Sequence, residues 1–244
     1  MSIPGLSEWL QTPQGRGVID WEQERTDRAV SDVFGFNALQ IGVPEIDFLR
    51  ANRIPLRQHV GETEGELGKV DVRCDLRHLP FAGASVDLVV LPHILEFSSE
   101  PHQILREVER ILMPEGQVVI LGFNPFSLWG LRRHLQRSAA GFPWNGTFLS
   151  VPRLKDWLAL LGFEIDRGCY GCYAPPVDQE KWLRRLRPME CAGDRWWPIA
   201  GGVYLIRAVK RVHSMRLIKP AWRNAPASRK ALAPVVQKGR TEND

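Results

Sequence analysis

The sequence predicts an α/β domain built on a parallel sheet with helices on both faces, and three stretches predict it. Val86–Leu91 is a short, almost wholly apolar run with β-branched residues, and Val118–Leu121 is another. Runs of this kind fit strands buried on both faces, as in a parallel sheet. Between them, Ile104, Leu105, Val108, Ile111 and Leu112 recur at helical spacing, with Arg106, Glu107, Glu109 and Arg110 on the other side. Pro114-Glu115-Gly116 then stops the helix and turns the chain. Strand, crossover helix and strand make a βαβ unit, whose hand is nearly always right.

Composition bounds the rest. The 244 residues suffice for one α/β domain with a full core. No apolar run approaches the ~20 residues that span a bilayer. The start, Met-Ser-Ile-Pro-Gly-Leu-Ser-Glu, lacks the basic-then-apolar pattern of a secretory leader. Four cysteines at irregular spacing do not suggest a disulfide framework. The expectation is a cytoplasmic protein with no membrane partner. The net charge of +4 hides an asymmetry: residues 181–244 hold 15 Lys and Arg against 4 Asp and Glu, whereas residues 1–180 hold 17 against 24. A basic end suits nucleic acid or another polyanion, or serves solubility alone.

In chain order, Leu6, Trp9 and Leu10 form a short apolar stripe that Pro13, Gly15 and Gly17 are expected to interrupt. A polar helix over Asp20–Val33 turns Val30 and Val33 inward, with Trp9 and Trp21 packing these helices to the sheet. Strands follow at 38–42, 55–60 and 70–74, with Glu62 and Asp75 just past the second and third. Glu62 is one of three acids in a turn, and Asp75 equally suits a helix cap or a turn. Ligands of open parallel sheets bind beyond the carboxyl ends of the strands. After the fourth strand that place falls to Pro92, His93 and Glu96. His93 there can line a pocket, take a proton, cap or pack. The loop Gly122–Gly130 reads as a pocket wall, with Phe123 and Trp129 as apolar lining and Asn124 as a polar anchor, or as a plain structural loop. Helices are expected around 131–137 and 152–161, and strands from Gly162 and from Gly202 to Lys210. Cys169 and Cys172 form a lone Cys-x-x-Cys pair with no second ligand pair, so no metal site is expected. Lys181–Arg187 reads as a basic helical segment, and the chain from about Arg211 as a disordered basic tail.

The central stretch resembles the class I S-adenosylmethionine-dependent methyltransferases of the small-molecule "type 11" kind. The residues that carry the likeness are Asp75, Leu79-Pro80-Phe81, Val86-Asp87-Leu88-Val89 and Leu112-Met113-Pro114-Glu115-Gly116, about fifty residues with order and spacing kept. The resemblance implies a Rossmann-like fold: a seven-stranded, mostly parallel sheet with an antiparallel edge hairpin. It implies one domain over residues 1–210, with residues 1–35 as a helical cap over the cofactor and acceptor, and a tail over 211–244.

The same likeness implies S-adenosylmethionine as cofactor and a small-molecule acceptor. Carried over residue by residue, Gly42 opens the cofactor turn and Glu62 meets the ribose hydroxyls. Asp75 accepts from the adenine amino group, the backbone of Leu76 meets the ring edge, and His93 matches a histidine common at that point. Where the family has an acid and then Gly-x-Gly-x-Gly, this chain reads Gln40, Gly42, Pro44 and Ile46. Only the first glycine is kept, so either the loop binds cofactor in altered form or the fold serves as a non-catalytic scaffold. The family's motif for amide or exocyclic-amine methylation is absent from Leu91-Pro92-His93-Ile94.

Overall fold

The computed structural model describes residues 5–62, 70–135, 141–176, 185 and 187–212. Seven strands form one sheet in the order β3-β2-β1-β4-β5-β7-β6. They are β1 (Asn37–Ile41), β2 (Leu56–Gly61), β3 (Val72–Arg73), β4 (Val86–Pro92), β5 (Leu112–Phe123), β6 (Phe163–Gly171) and β7 (Val203–Lys210). β1 to β5 pair in parallel, and β7 runs antiparallel to both β5 and β6. This is the sheet the sequence predicts, with the antiparallel pair at its edge.

Each face has its own apolar core. On one face, α4 (Pro101–Ile111) and α6 (Val151–Leu160) pack over Leu39, Ile41, Val89, Leu91, Val118 and Ile120. On the other, α1 (Leu6–Leu10) and α2 (Pro13–Val30) pack over Ala38, Leu88, Val90, Val119 and Leu121. Period-two alternation along buried strands feeds both layers at once.

The N-terminal helices depart from the expected pattern. α2 begins at Pro13 and runs straight through Gly15 and Gly17. Thr12 caps it by accepting the Gly15 N–H at 3.0 Å, and Pro13 takes the first-turn position where no donor is needed. Gly15 is there for space: a Cβ would stand 2.1 Å from the Trp9 carbonyl oxygen. Gly15→Ala must therefore push α1 off α2. It is expected to cost more than the gain in helix propensity, roughly 1–3 kcal/mol net, read as a lower midpoint in urea denaturation.

Two further features shape the sheet edge, the second of them a departure from the expected turn at Pro114-Glu115-Gly116. Residues 42–55, between β1 and β2, form turns with no helix. β5 begins at Leu112 and carries Pro114-Glu115-Gly116 within it, with Glu115 at φ 66° and a register shift against β4. The short helices α3 (Ile94–Phe97) and α5 (Leu128–Leu135) follow β4 and β5, and α7 (Arg187–Trp196) with a 3-10 turn (Pro198–Ala200) leads into β7. Most of the segment 181–187 and all of 213–244, including nearly all of the expected tail, lie outside the described residues. No helix among the described residues is long and apolar enough to cross a membrane.

Candidate active site

The carboxyl ends of β1, β2, β3 and β4 bring Gly42, Glu62, Asp75, Leu76 and Ile94 to one edge. Gly42 takes φ 89° and donates its N–H to the Val60 carbonyl at 3.0 Å. A Cβ here would meet the Ile94 side chain at 3.2 Å, so the backbone passes close by. Glu62 is exposed just beyond β2, and its Oε1 accepts the Leu76 N–H at 3.4 Å. That long bond links the ends of β2 and β3.

Asp75 is partly exposed and forms a fork with Arg77, whose Nε reaches Oδ1 at 3.0 Å and whose terminal amine reaches Oδ2 at 2.8 Å. The Arg77 guanidinium holds the Asp75 carboxyl well below the usual carboxylate range. Such a pair at the surface is weak, and a ligand amine can replace it at little cost.

The segment after Asp75 is fixed from α4. Arg110 donates to the Phe81 and Leu79 carbonyls, each at 2.9 Å, and Glu107 accepts the Leu79 N–H at 3.0 Å. The Leu79-Pro80-Phe81 backbone is thus held by two side chains of α4. Sequence periodicity places Glu107 and Arg110 on the solvent side of α4; the structure folds them over onto this segment.

The loop after β1 is organised by Gln40, buried at the centre of the sheet. Its Nε2 donates to the carbonyls of Val43 (2.9 Å) and Ile46 (2.7 Å), and its Oε1 accepts the Phe48 N–H at 2.8 Å. A buried amide needs its partners, and this one takes them from the turn. Val43, at φ 45°, and Ile46 are thereby drawn into the apolar cluster with Phe48 and Leu49. The amide in place of an acid is what such a turn requires, because it must donate to carbonyls.

His93 belongs to a different arrangement. It caps α3 at φ 56°, and its ring is 2% exposed. Nε2 lies 2.7 Å from Glu22 Oε1 on α2, and Nδ1 lies 2.9 Å from Glu96 Oε2 on α3. Glu96 Oε1 accepts the Phe123 N–H at 2.6 Å. Burial alone would lower the imidazole pKa, but the two carboxylates outweigh it and lift it to about 10. Burial raises the Glu96 carboxyl. His93 is therefore held toward its protonated form between two carboxylates, and it ties the covering helix α2 to the end of β4. Both of its ring nitrogens are engaged by these carboxylates.

The loop after β5 is structural. Phe123 is fully buried, and Trp129 is buried with its Nε1 donating to the Ala174 carbonyl at 3.0 Å. Asn124 donates to the Ile199 and Gly201 carbonyls at 2.7 and 2.9 Å. Cys169 lies in β6 and Cys172 just past its end, and among the described residues no group of His, Cys, Asp or Glu is arranged to hold a metal ion.

Comparison with known proteins agrees with this architecture. Residues 52–120 match the family model described as "Methyltransferase domain", a stretch that begins after the Gln40-held turn. The chain is 32% identical over 157 residues to the uncharacterised protein YafS of Escherichia coli K12, covering 64% of this chain and 65% of that one. It is 30% identical over 86 residues to a demethylmenaquinone methyltransferase of Chlamydia pneumoniae, covering 35% of this chain and 36% of that one. The match thus spans less than two thirds of either curated relative. Among solved structures, an S-adenosylmethionine-dependent methyltransferase of Thermotoga maritima superposes with a TM-score of 0.60 at 18% identity, covering 78% of this chain and 88% of that one.

Proposed function

We propose that this chain is a class I S-adenosylmethionine-dependent methyltransferase that transfers a methyl group to a small-molecule acceptor, a reading supported by the methyltransferase-domain match over residues 52–120 and by the shared fold. The single observation that carries the reading is the division of labour at the sheet edge. Glu62 and Asp75 stand at the surface beyond β2 and β3, while the bulky Val43 and Ile46 of the preceding turn are held in the core by Gln40. The turn has lost glycines without placing side chains over the acids.

The residues fit an adenosine. Glu62 can accept from both ribose hydroxyls. Asp75 can accept from the adenine amine once Arg77 swings aside, and the Leu76 N–H, weakly held at 3.4 Å, is a donor for the ring edge. Gly42 lets the backbone approach closely. The cofactor, when bound, supplies an electrophilic methyl on a cationic sulfur. The protein's contribution is then mainly orientation, since in-line displacement gains most from positioning. His93 serves this site through α2 and α3 rather than by touching the ligand.

Titration calorimetry with S-adenosylhomocysteine tests the reading. Wild type is expected to bind, and Glu62→Gln to bind roughly tenfold or more weakly, the cost of losing charge-assisted hydrogen bonds. Equal affinity of the two proteins would remove Glu62 from the site.

A further inference from the structure

We infer that the corner formed by α5 and the segment 196–199 is a docking surface for an anionic lipid bilayer. α5 is folded inside out. Arg132 lies over the Trp144 ring and Arg133 over the Phe148 ring, at 4.8 and 5.2 Å from the centroids. With the guanidinium groups turned onto the body, Leu128, Leu131 and Leu135 face solvent, Leu135 at 74% exposure, and Phe126 precedes them outward. Trp196, Trp197 and Ile199 are exposed as well, Trp196 at 70%.

The two groups meet. Asn124 binds the Ile199 carbonyl through its amide, and its Oδ1 accepts the Phe126 N–H at 3.0 Å. Seven of the thirteen exposed large apolar side chains among the described residues fall on these two short segments, so they form a patch rather than scatter. β5 runs parallel to β4, and β4 to β1, so the corner lies at the same sheet edge as Glu62 and Asp75.

Chemistry selects the occupant. Paired tryptophans with aliphatic tips suit the depth where headgroups meet acyl chains. Arg195 neighbours the pair, and residues 181–244 carry 15 Lys and Arg against 4 Asp and Glu, a balance that complements anionic headgroups. RNA would use the aromatic rings but has no use for a stripe of leucines. A second copy carries the same net charge of +4, and like charges oppose that pairing. Such a surface docks whether or not the chain transfers methyl groups.

Flotation of the full chain with vesicles of phosphatidylcholine and phosphatidylglycerol in equal parts, and with phosphatidylcholine alone, tests it. The chain is expected to float with the anionic vesicles, with tryptophan emission shifting to shorter wavelength. The double variant Leu131→Glu, Leu135→Glu is expected to reduce the bound fraction roughly tenfold or more at high salt, where screened charge no longer holds the protein. Its thermal midpoint should stay unchanged, because both side chains are exposed in the wild type. Absence of flotation overturns the inference. So does a double variant that floats like wild type at high salt, which would mean that basic charge alone binds. Loss in the variant of a dimer seen by sedimentation, or of retention of a single-stranded RNA, without vesicle binding by the wild type, also overturns it.

Discussion

Replacing His93 with leucine is expected to destabilise the protein by roughly 3–5 kcal/mol, the cost of leaving buried carboxylates without their cation. Glu22 and Glu96 are both buried and both point at the ring, so the variant keeps two acids in the core with nothing between them. A double-mutant cycle with Glu22→Gln should show strong coupling, since the two side chains share one bond across the α2 interface. The pH dependence has a definite sign. An imidazole held at about 10 in the fold, against 6.5 as its ordinary value, keeps a proton that the unfolded chain releases. Its contribution is complete below the ordinary value and is lost as pH rises toward the folded one. Wild-type stability in urea should therefore fall between these values, by at most about 1.4 kcal/mol per pH unit, while a His93→Gln variant shows a flatter profile. A wild-type profile as flat as the variant's would contradict a buried imidazolium.

Phe123→Ala is expected to cost a similar amount, roughly 3–5 kcal/mol. The ring is fully buried at the end of β5 and stacks on His93 at 4.5 Å, Phe148 at 5.1 Å and Trp129 at 5.7 Å. Trp9 and Phe142 meet it edge-on. No neighbour can collapse into that space without giving up another contact, so the cavity persists. Phe123→Leu should recover much of the loss. Thermal unfolding of the two variants reads the difference, and an Ala variant within about 1 kcal/mol of wild type would mean the aromatic cluster repacks.

The sheet was legible because its strands are buried on both faces and write themselves as apolar runs. Val86–Leu91 marks β4 to within a residue, and the spacing of Ile104, Leu105, Val108 and Ile111 marks α4; Val118–Leu121 marks only the second half of β5, whose start at Leu112 reads from sequence as the end of the helix. Residues that work through backbone carbonyls were not legible. Gln40 is one polar letter in an apolar strand, and its spacing does not reveal that its amide gathers the turn after β1. Gly15 and Gly17 read as breakers, yet both lie inside α2, where the approach of Trp9 excludes a Cβ at Gly15. Glu22 could have been found: Glu22, Thr26 and Val30 recur at a spacing of four, and an acid on the buried face of a helix needs a partner. That partner is His93, which occupies the expected place after β4 but turns its ring toward the covering helix. Phe123, Asn124 and Trp129, read from sequence as a pocket wall or a structural loop, prove to be structural because burial is not written in a loop's composition.

The proposed adenosine site is the edge formed by Gly42, Glu62, Asp75 and Leu76, and a crystal structure of the protein with S-adenosylhomocysteine reads that location without an intermediary. Ribose hydroxyls are expected on the Glu62 carboxylate and the adenine amine on Asp75 in place of Arg77, with Val43 and Ile46 still in the core. An adenosine bound elsewhere, or none bound at saturating ligand, would show that this edge is not the cofactor site.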